Sequence, residues 1–295
     1  MKFGYVALVG RPNAGKSTLL NHLIGQKLSI TSRKPQTTRH RIHGIKTADW
    51  GQAVYVDTPG LHTGEKRAMN RYLNRTADSA LQGVDVIVWV VDQWSWHPDN
   101  DAILGRIEAA GSPVILAINK VDQCRDKEVL LPFIELAAGK APFAEIIPLS
   151  ALKAINLDRL EQRIVELLPE GDPAYPADQI TDRPERFFAA EIIREKLIRS
   201  LGQEVPHAAT VEIEEYREEG GLTRIHAVIW VEREGQKAIV IGKNGETLKS
   251  IGQSAREDLE RFIDAKVYLN LWVKVKRGWS DSERALQSLG YRDTE

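Results

Sequence analysis

The sequence predicts a doubly wound α/β domain with a mainly parallel sheet, followed by a smaller α+β domain. Three observations carry that expectation. Short apolar runs alternate with helix-period segments through the first half, a proline-rich stretch breaks the alternation, and beyond it strands and helices come in a different order. The 295 residues suit two domains of about 150 residues each.

In the first part, YVALV (5–9) reads as a buried strand and AVYVD (53–57) as the next. VDVIVWVVD (84–92) and PVILAINK (113–120) are apolar on both faces, as central parallel strands are. EIIPLS (145–150) adds another strand. Helices are expected at 16–25, 66–82, 98–110 and 126–138. Leu157, Leu160, Ile164 and Leu167 fall at helical spacing and predict a closing helix. The first domain is placed at 1–170 and a linker at 171–185, where Pro173, Pro176 and Pro184 remove backbone donors and disfavour helix. The second domain is placed at 186–295. It starts with an amphipathic helix, FFAAEIIREKLIRSL (187–201), and two strand-like runs then flank Gly220-Gly221 as a hairpin. SAREDLERFI reads as a helix, KVYLNLWVKVK as a strand, and a helical tail ends the chain. The expected order is helix, strand, strand, helix, helix, strand.

Net charge is −1 and the isoelectric point about 6.7, so nucleic-acid contact requires a local patch rather than a global field. One cysteine, Cys124, leaves no internal disulfide and no multi-cysteine zinc site, and fits a reducing cytoplasm. No apolar run has the length of a membrane span, and the N-terminus runs into a strand without signal-peptide features.

Residues 10–17, GRPNAGKS, match GxxxxGK[ST] between a predicted strand and a predicted helix. Gly10 and Gly15 permit close backbone approach, and N–H groups from about Asn13 through Ala14 to Ser17 and Thr18 line a phosphate cradle at a helix N-terminus. Lys16 adds charge for the outer phosphates and Ser17 a hydroxyl for Mg²⁺. In DTPG (57–60), Asp57 serves Mg²⁺ through water and the Gly60 N–H serves the γ-phosphate. NKVD (119–122) ends a buried strand, at the sheet edge that carries ligands. There Asp122 accepts both guanine donors, Asn119 bridges base and phosphate loop, and the Lys120 stem covers the purine face. In SAL (Ser150, Ala151, Leu152) the Ala151 N–H addresses guanine O6. KPQTTRHR (34–41) offers the threonine that senses the γ-phosphate through Mg²⁺; Thr38 is favoured, with Thr37 as competitor. Lys16, Thr38 and Gly60 are the candidate catalytic groups. The expected ligands are GTP or GDP with Mg²⁺. Leu61 stands where many GTPases place a water-orienting Gln, so slow intrinsic hydrolysis is expected; His62 beside it reads as a surface residue.

In the second domain, Gly242-Lys243-Asn244-Gly245 forms GxxG, placed by the sequence between a strand and a helix. In the order αββααβ this resembles a KH domain of the second topology, whose GxxG loop clamps about four nucleotides of single-stranded RNA. From Lys237 to Arg277 nine basic residues face five acidic ones, which supports a local phosphate-binding face. Trp272 reads as core and Trp279 as a candidate for base stacking or packing; Trp94 and Trp96 fit packing or a partner equally.

Taken together, GRPNAGKSTLLN, QTTR, DTPGLH, NKVD, SAL, IGKNGETLKSIG and LWVKVKRGW make the whole chain resemble the Era-type bacterial GTPases. The resemblance implies binding near the 3′ end of small-subunit ribosomal RNA by the loop at 242–245. It implies action on the 30S-type subunit in its maturation, and an apolar residue at position 61. It also implies peripheral contact with the inner face of the cell membrane, for which the residues themselves carry no signature. A cytoplasmic monomer without DNA among its partners is expected. Two alternatives stand beside this reading: a GTP-binding RNA assembly factor with negligible hydrolysis, and a related GTPase acting on another RNA.

Overall fold

The computed structural model describes residues 1–32, 34–61, 67–92, 94–124, 127–202 and 205–292. The chain divides into two compact units whose main boundary falls between Asp182 and Arg183.

The first unit holds a six-stranded sheet in the order β2-β3-β1-β4-β5-β6. Its strands are β1 (Lys2–Val9), β2 (Ile42–Ala48), β3 (Gly51–Asp57), β4 (Val86–Val91), β5 (Val114–Ile118) and β6 (Glu145–Pro148). All neighbours pair in parallel except β2 with β3. Every residue of β4 is buried, which is why its sequence shows no alternation. Helices α1 (Lys16–Ile24), α2 (Ala68–Ser79), α3 (Pro98–Ala110), α4 (Leu130–Ala138) and α5 (Leu157–Leu167) cover the sheet. Leu157, Leu160 and Ile164 of α5 are buried at the predicted spacing.

Strand β2 was not expected. Its sequence, IHGIKTA, contains a glycine and two cationic-capable side chains, which weakens the strand signal. It forms because a two-residue turn folds it back on β3. As an edge strand it is exposed to foreign pairing. The proline-rich segment answers this: Ile45 N–H donates to Ile180 O (2.8 Å). Gln52 further fixes the segment, accepting from Ala174 and Tyr175 N–H at 3.0 Å each.

Trp94 and Trp96 belong to packing. Both lie against the core cluster of this unit, and the Trp96 ring meets Trp89 edge-on at 5.7 Å. His62 lies outside the described residues.

The second unit holds a three-stranded sheet, β7 (Thr210–Glu219), β8 (Leu222–Val231) and β9 (Lys266–Val275), in that order. β7 and β8 form the predicted hairpin through Gly220 and Gly221, both with positive φ, as the tightest hairpin turns require. β9 returns parallel to β8. Helices α6 (Glu185–Ser200), α7 (Glu234–Ile241) and α8 (Glu246–Ile263) pack on one face around Ile193, Leu197, Ile225, Ile229, Ile251 and Leu259. A short helix, α9 (Glu283–Ser288), follows.

Two expectations need correction here. The run KAIVI before the GxxG loop is the end of helix α7, not a strand, so the loop joins two helices. Gln236 starts that helix by accepting the N–H groups of Glu232 and Arg233 at 2.9 and 3.1 Å, a start signal that a short apolar run conceals. The second concerns the tryptophans: of the two roles open to Trp279 the structure shows packing, and Trp272 is not core. Trp279 is fully buried, donates to Ala208 O (3.2 Å) and stacks on Tyr291, so it is not a base-stacking group. Trp272 is 57% exposed, so it is not core.

Candidate nucleotide site and nucleic-acid interface

The motif residues of the first unit converge at the carboxyl edge of its sheet. The phosphate loop joins β1 to α1. Lys16 is only 5% exposed, and its Nζ donates to Gly10 O (3.0 Å) and Arg11 O (2.9 Å). Burial lowers its pKa to about 8, opposed by the carboxylates of Asp57 and Asp92. Thr18 follows within α1, half-buried. The end of DTPG is tied to the loop by Leu61 N–H donating to Gly10 O (3.3 Å), which brings Gly60 beside it.

Ser17 Oγ sits 2.7 Å from Asp57 Oδ2 and 2.8 Å from Thr38 Oγ1. The second Asp57 oxygen, Oδ1, is buried without a hydrogen-bond partner among the described residues. Burial raises the Asp57 pKa, with Lys16 and Ser17 acting against the rise. A buried carboxylate beside two hydroxyls is a hard-oxygen set, which fits Mg²⁺. The same geometry separates the two threonines. Thr37 Oγ1 lies 2.6 Å from Ser32 Oγ and donates to Lys34 O (2.7 Å), so its hydroxyl serves its own loop.

The base-recognition residues form one network. Asn119 Nδ2 donates to Ala14 O (2.8 Å), and its Oδ1 accepts the Ala151 N–H (2.9 Å). One side chain therefore ties the phosphate loop to the SAL turn. Lys120, held at φ 66°, donates to Asn13 O (2.8 Å) and to Asp92 (2.6 Å). Asp122 is exposed, with Oδ1 accepting from Ser150 Oγ (2.5 Å). That bond was not foreseen; Ser150 was assigned only through its motif. Leu152 points to solvent.

Gly15 makes the network possible. A Cβ there would lie 2.1 Å from Asn119 Nδ2, on a backbone with φ +106°. Gly15→Ala is expected to displace Asn119 and weaken GTP about 10- to 100-fold, from backbone strain plus lost buried hydrogen bonds. Titration calorimetry checks it; unchanged affinity would remove Gly15 from the argument.

In the second unit, Gly242 and Gly245 have φ of 74° and 79°, and Asn244 joins them at 52°. These positive-φ positions turn the chain sharply between α7 and α8. Lys243 and Asn244 are exposed at its tip. The structure thus presents GxxG as a protruding loop at a helix start, where phosphate is favoured.

A mainly parallel sheet carrying phosphate loop, DxxG and NKxD at one edge, here fused to a KH domain, defines a P-loop GTPase. The comparisons with known proteins agree. The family described as 50S ribosome-binding GTPase matches residues 5–120, and the KH domain family matches 204–280. GTPase Era of Pseudomonas aeruginosa is 58% identical over 290 residues, 98% of this chain and 95% of that protein. GTPase Era of Ectopseudomonas mendocina is 59% identical, covering 98% and 97%. Among solved structures, an Aquifex aeolicus Era variant bound to GDP and aluminium fluoride aligns with TM-score 0.96 and 41% identity, over 99% of this chain and 100% of that one. A structure of Era with MgGDPNP and nucleotides 1506–1542 of 16S ribosomal RNA aligns with TM-score 0.96, 42% identity and the same coverage. The chain belongs to the Era family of GTPases. It hydrolyses GTP and takes GTP or GDP with Mg²⁺ as its ligands.

Proposed function

We propose that this GTPase is a switch that binds the 3′ region of small-subunit ribosomal RNA through its KH domain and acts in assembly of the 30S-type subunit. The observation that carries the reading is the full-length likeness to the Era structure holding MgGDPNP and 16S ribosomal RNA 1506–1542. The protruding GxxG loop supports it independently.

Gly10, Asn13, Ala14, Gly15, Lys16, Ser17 and Thr18 cradle the phosphates. Ser17, Thr38 and Asp57 would hold Mg²⁺. When bound, the metal would supply charge neutralisation at the phosphates. Lys16 and the Gly60 N–H bind phosphate oxygens, and their arrangement positions a reaction whose main need is electrostatic. Asn119, Lys120, Asp122 and the SAL turn select guanine. Gly242, Lys243, Asn244 and Gly245 contact the RNA backbone. Loss of the γ-phosphate releases the segments around Thr38 and Gly60, which is how hydrolysis alters the protein.

Leu61 is 7% exposed and packed in the core cluster of the first unit. Buried there, it does not orient water, which supports slow intrinsic turnover. Leu61→Gln is therefore expected to give no faster phosphate release. It should instead destabilise the fold by about 1–3 kcal/mol, the cost of an unsatisfied buried amide. Phosphate-release assays and thermal melts check this, and a large rate gain would place position 61 in the site.

A cytoplasmic monomer, with peripheral contact at the inner membrane face, is part of the same proposal. A single cysteine, Cys124, is consistent with the first point. No described helix is long and apolar enough to cross a membrane. Phosphate release measured with and without the 1506–1542 RNA tests the switch; release equal to the protein-free blank in both would overturn it.

A further inference from the structure

Helices α6, α7 and α8 cover one face of the sheet in the second unit and leave Arg224, Tyr268 and Trp272 exposed on the other. The register places Arg224 opposite Tyr268, His226 opposite Asn270, Val228 opposite Trp272 and Trp230 opposite Lys274 on that other face, where Val228 itself is fully buried. Tyr268 and Trp272 are 47% and 57% exposed, unusual for large rings on a sheet. Cations already lie over the aromatic groups. The Arg224 guanidinium sits 5.5 Å above the Tyr268 ring, and Lys274 and Lys276 lie 5.7 and 5.8 Å from the Trp230 ring. Trp230 is fixed by donating to Glu212 (2.7 Å), and the His226 ring leans on Tyr268 at 6.1 Å.

We propose that this face is a second RNA-contact surface, a stacking platform for unpaired bases, separate from the GxxG loop. The proposal rests on the RNA-binding reading above and extends it. Charge complementarity favours a polyanion over a protein: residues 266–277 carry Lys266, Lys274, Lys276 and Arg277 and no acid. The acidic groups of this face stand on the far strand β7, and each is already engaged: Glu212 with Trp230, Glu214 with Lys274, Glu215 with Arg217 and Glu219 with Arg224. Spacing fits as well. Tyr268 and Trp272 are four residues apart on one face of a strand, about 13 Å, the reach of two extended nucleotides. Asn270 between them offers both a donor and an acceptor to a base edge. Strand β9 is one edge of the sheet, and α7 and α8, which carry the GxxG loop between them, pack against its inner face. RNA leaving the loop over that edge reaches the rings. Ring-on-base stacking is tolerant of sequence, so this face adds affinity and leaves the choice of sequence to other contacts.

The test uses full-length protein and fluorescein-labelled RNA spanning 1506–1542. Tyr268→Ala with Trp272→Ala should weaken binding about 10- to 100-fold, given the usual contribution of base–aromatic stacking. Both rings are exposed, so the melting temperature should stay near wild type. Trp272→Phe should restore most of the affinity its Ala counterpart loses. Ultraviolet crosslinking should place RNA on the 266–277 segment. Wild-type affinity in the double variant, or crosslinks confined to the GxxG segment, overturns the platform alone. Binding absent from the wild-type protein overturns the RNA reading and the platform together. A crosslink from this segment to a protein, with RNA affinity unchanged, assigns the face to a protein partner and also overturns it.

Discussion

Asp122→Asn should reduce GTP affinity about 100- to 1,000-fold, or 3–4 kcal/mol, and make the protein accept xanthosine triphosphate in its place. Guanine offers two donors, N1–H and the exocyclic amine, and a carboxylate accepts both. In the structure Asp122 stands exposed beyond the end of β5, with one oxygen held by Ser150 Oγ. An amide keeps one acceptor and turns an N–H₂ toward the guanine amine, donor against donor. Xanthine carries a carbonyl at that position and meets the amide correctly. The phosphate loop is untouched, so a general loss of binding to all nucleotides is not expected. Calorimetric titrations with the three triphosphates separate these outcomes. GTP affinity within about threefold of wild type would mean that the carboxylate does not read the base, because a lost buried pair costs more than that.

The second large effect is expected at the GxxG loop. Gly242→Asp with Gly245→Asp should weaken binding of the 1506–1542 RNA by at least about 100-fold, since two acids would face phosphates where a backbone approaches. GTP affinity should be unchanged. The two positions differ physically. A Cβ at Gly242 would lie 2.1 Å from Thr247 Oγ1, so that substitution strains the loop; one at Gly245 meets nothing within 4 Å. Gly245→Asp alone is therefore mainly a charge probe, apart from its φ of +79°. Fluorescence anisotropy with thermal melts distinguishes lost contact from lost fold. Full RNA binding by a folded double variant would remove the loop from the interface.

Much of the first unit is legible because its physics is local. Parallel strands buried on both faces write themselves as unbroken apolar runs, and β4 is such a run. The pocket motifs are legible because phosphate and guanine each demand a residue type at a fixed place. What escaped depended on distant partners. Strand β2 is stabilised by β3 and by a segment more than 100 residues away, through Ile45 and Ile180. The choice between Thr37 and Thr38 rests on which hydroxyl meets Ser17, and the two residues are chemically identical in sequence. Trp272 was read as core because periodicity within β9 does not say which sheet face the helices cover. Trp279 is buried by Tyr291 and Ala208, neither of them its neighbour in sequence. The short helix before the GxxG loop was hidden because five apolar-rich residues fit strand and helix alike.

Competition binding of GTP against ATP, with Mg²⁺ and the unmodified protein, tests the nucleotide pocket most directly. The network of Asn119, Asp122 and Ser150 predicts GTP bound at least about 1,000-fold more tightly, because ATP would leave a carboxylate facing no donor. Equal affinity for the two nucleotides would contradict it.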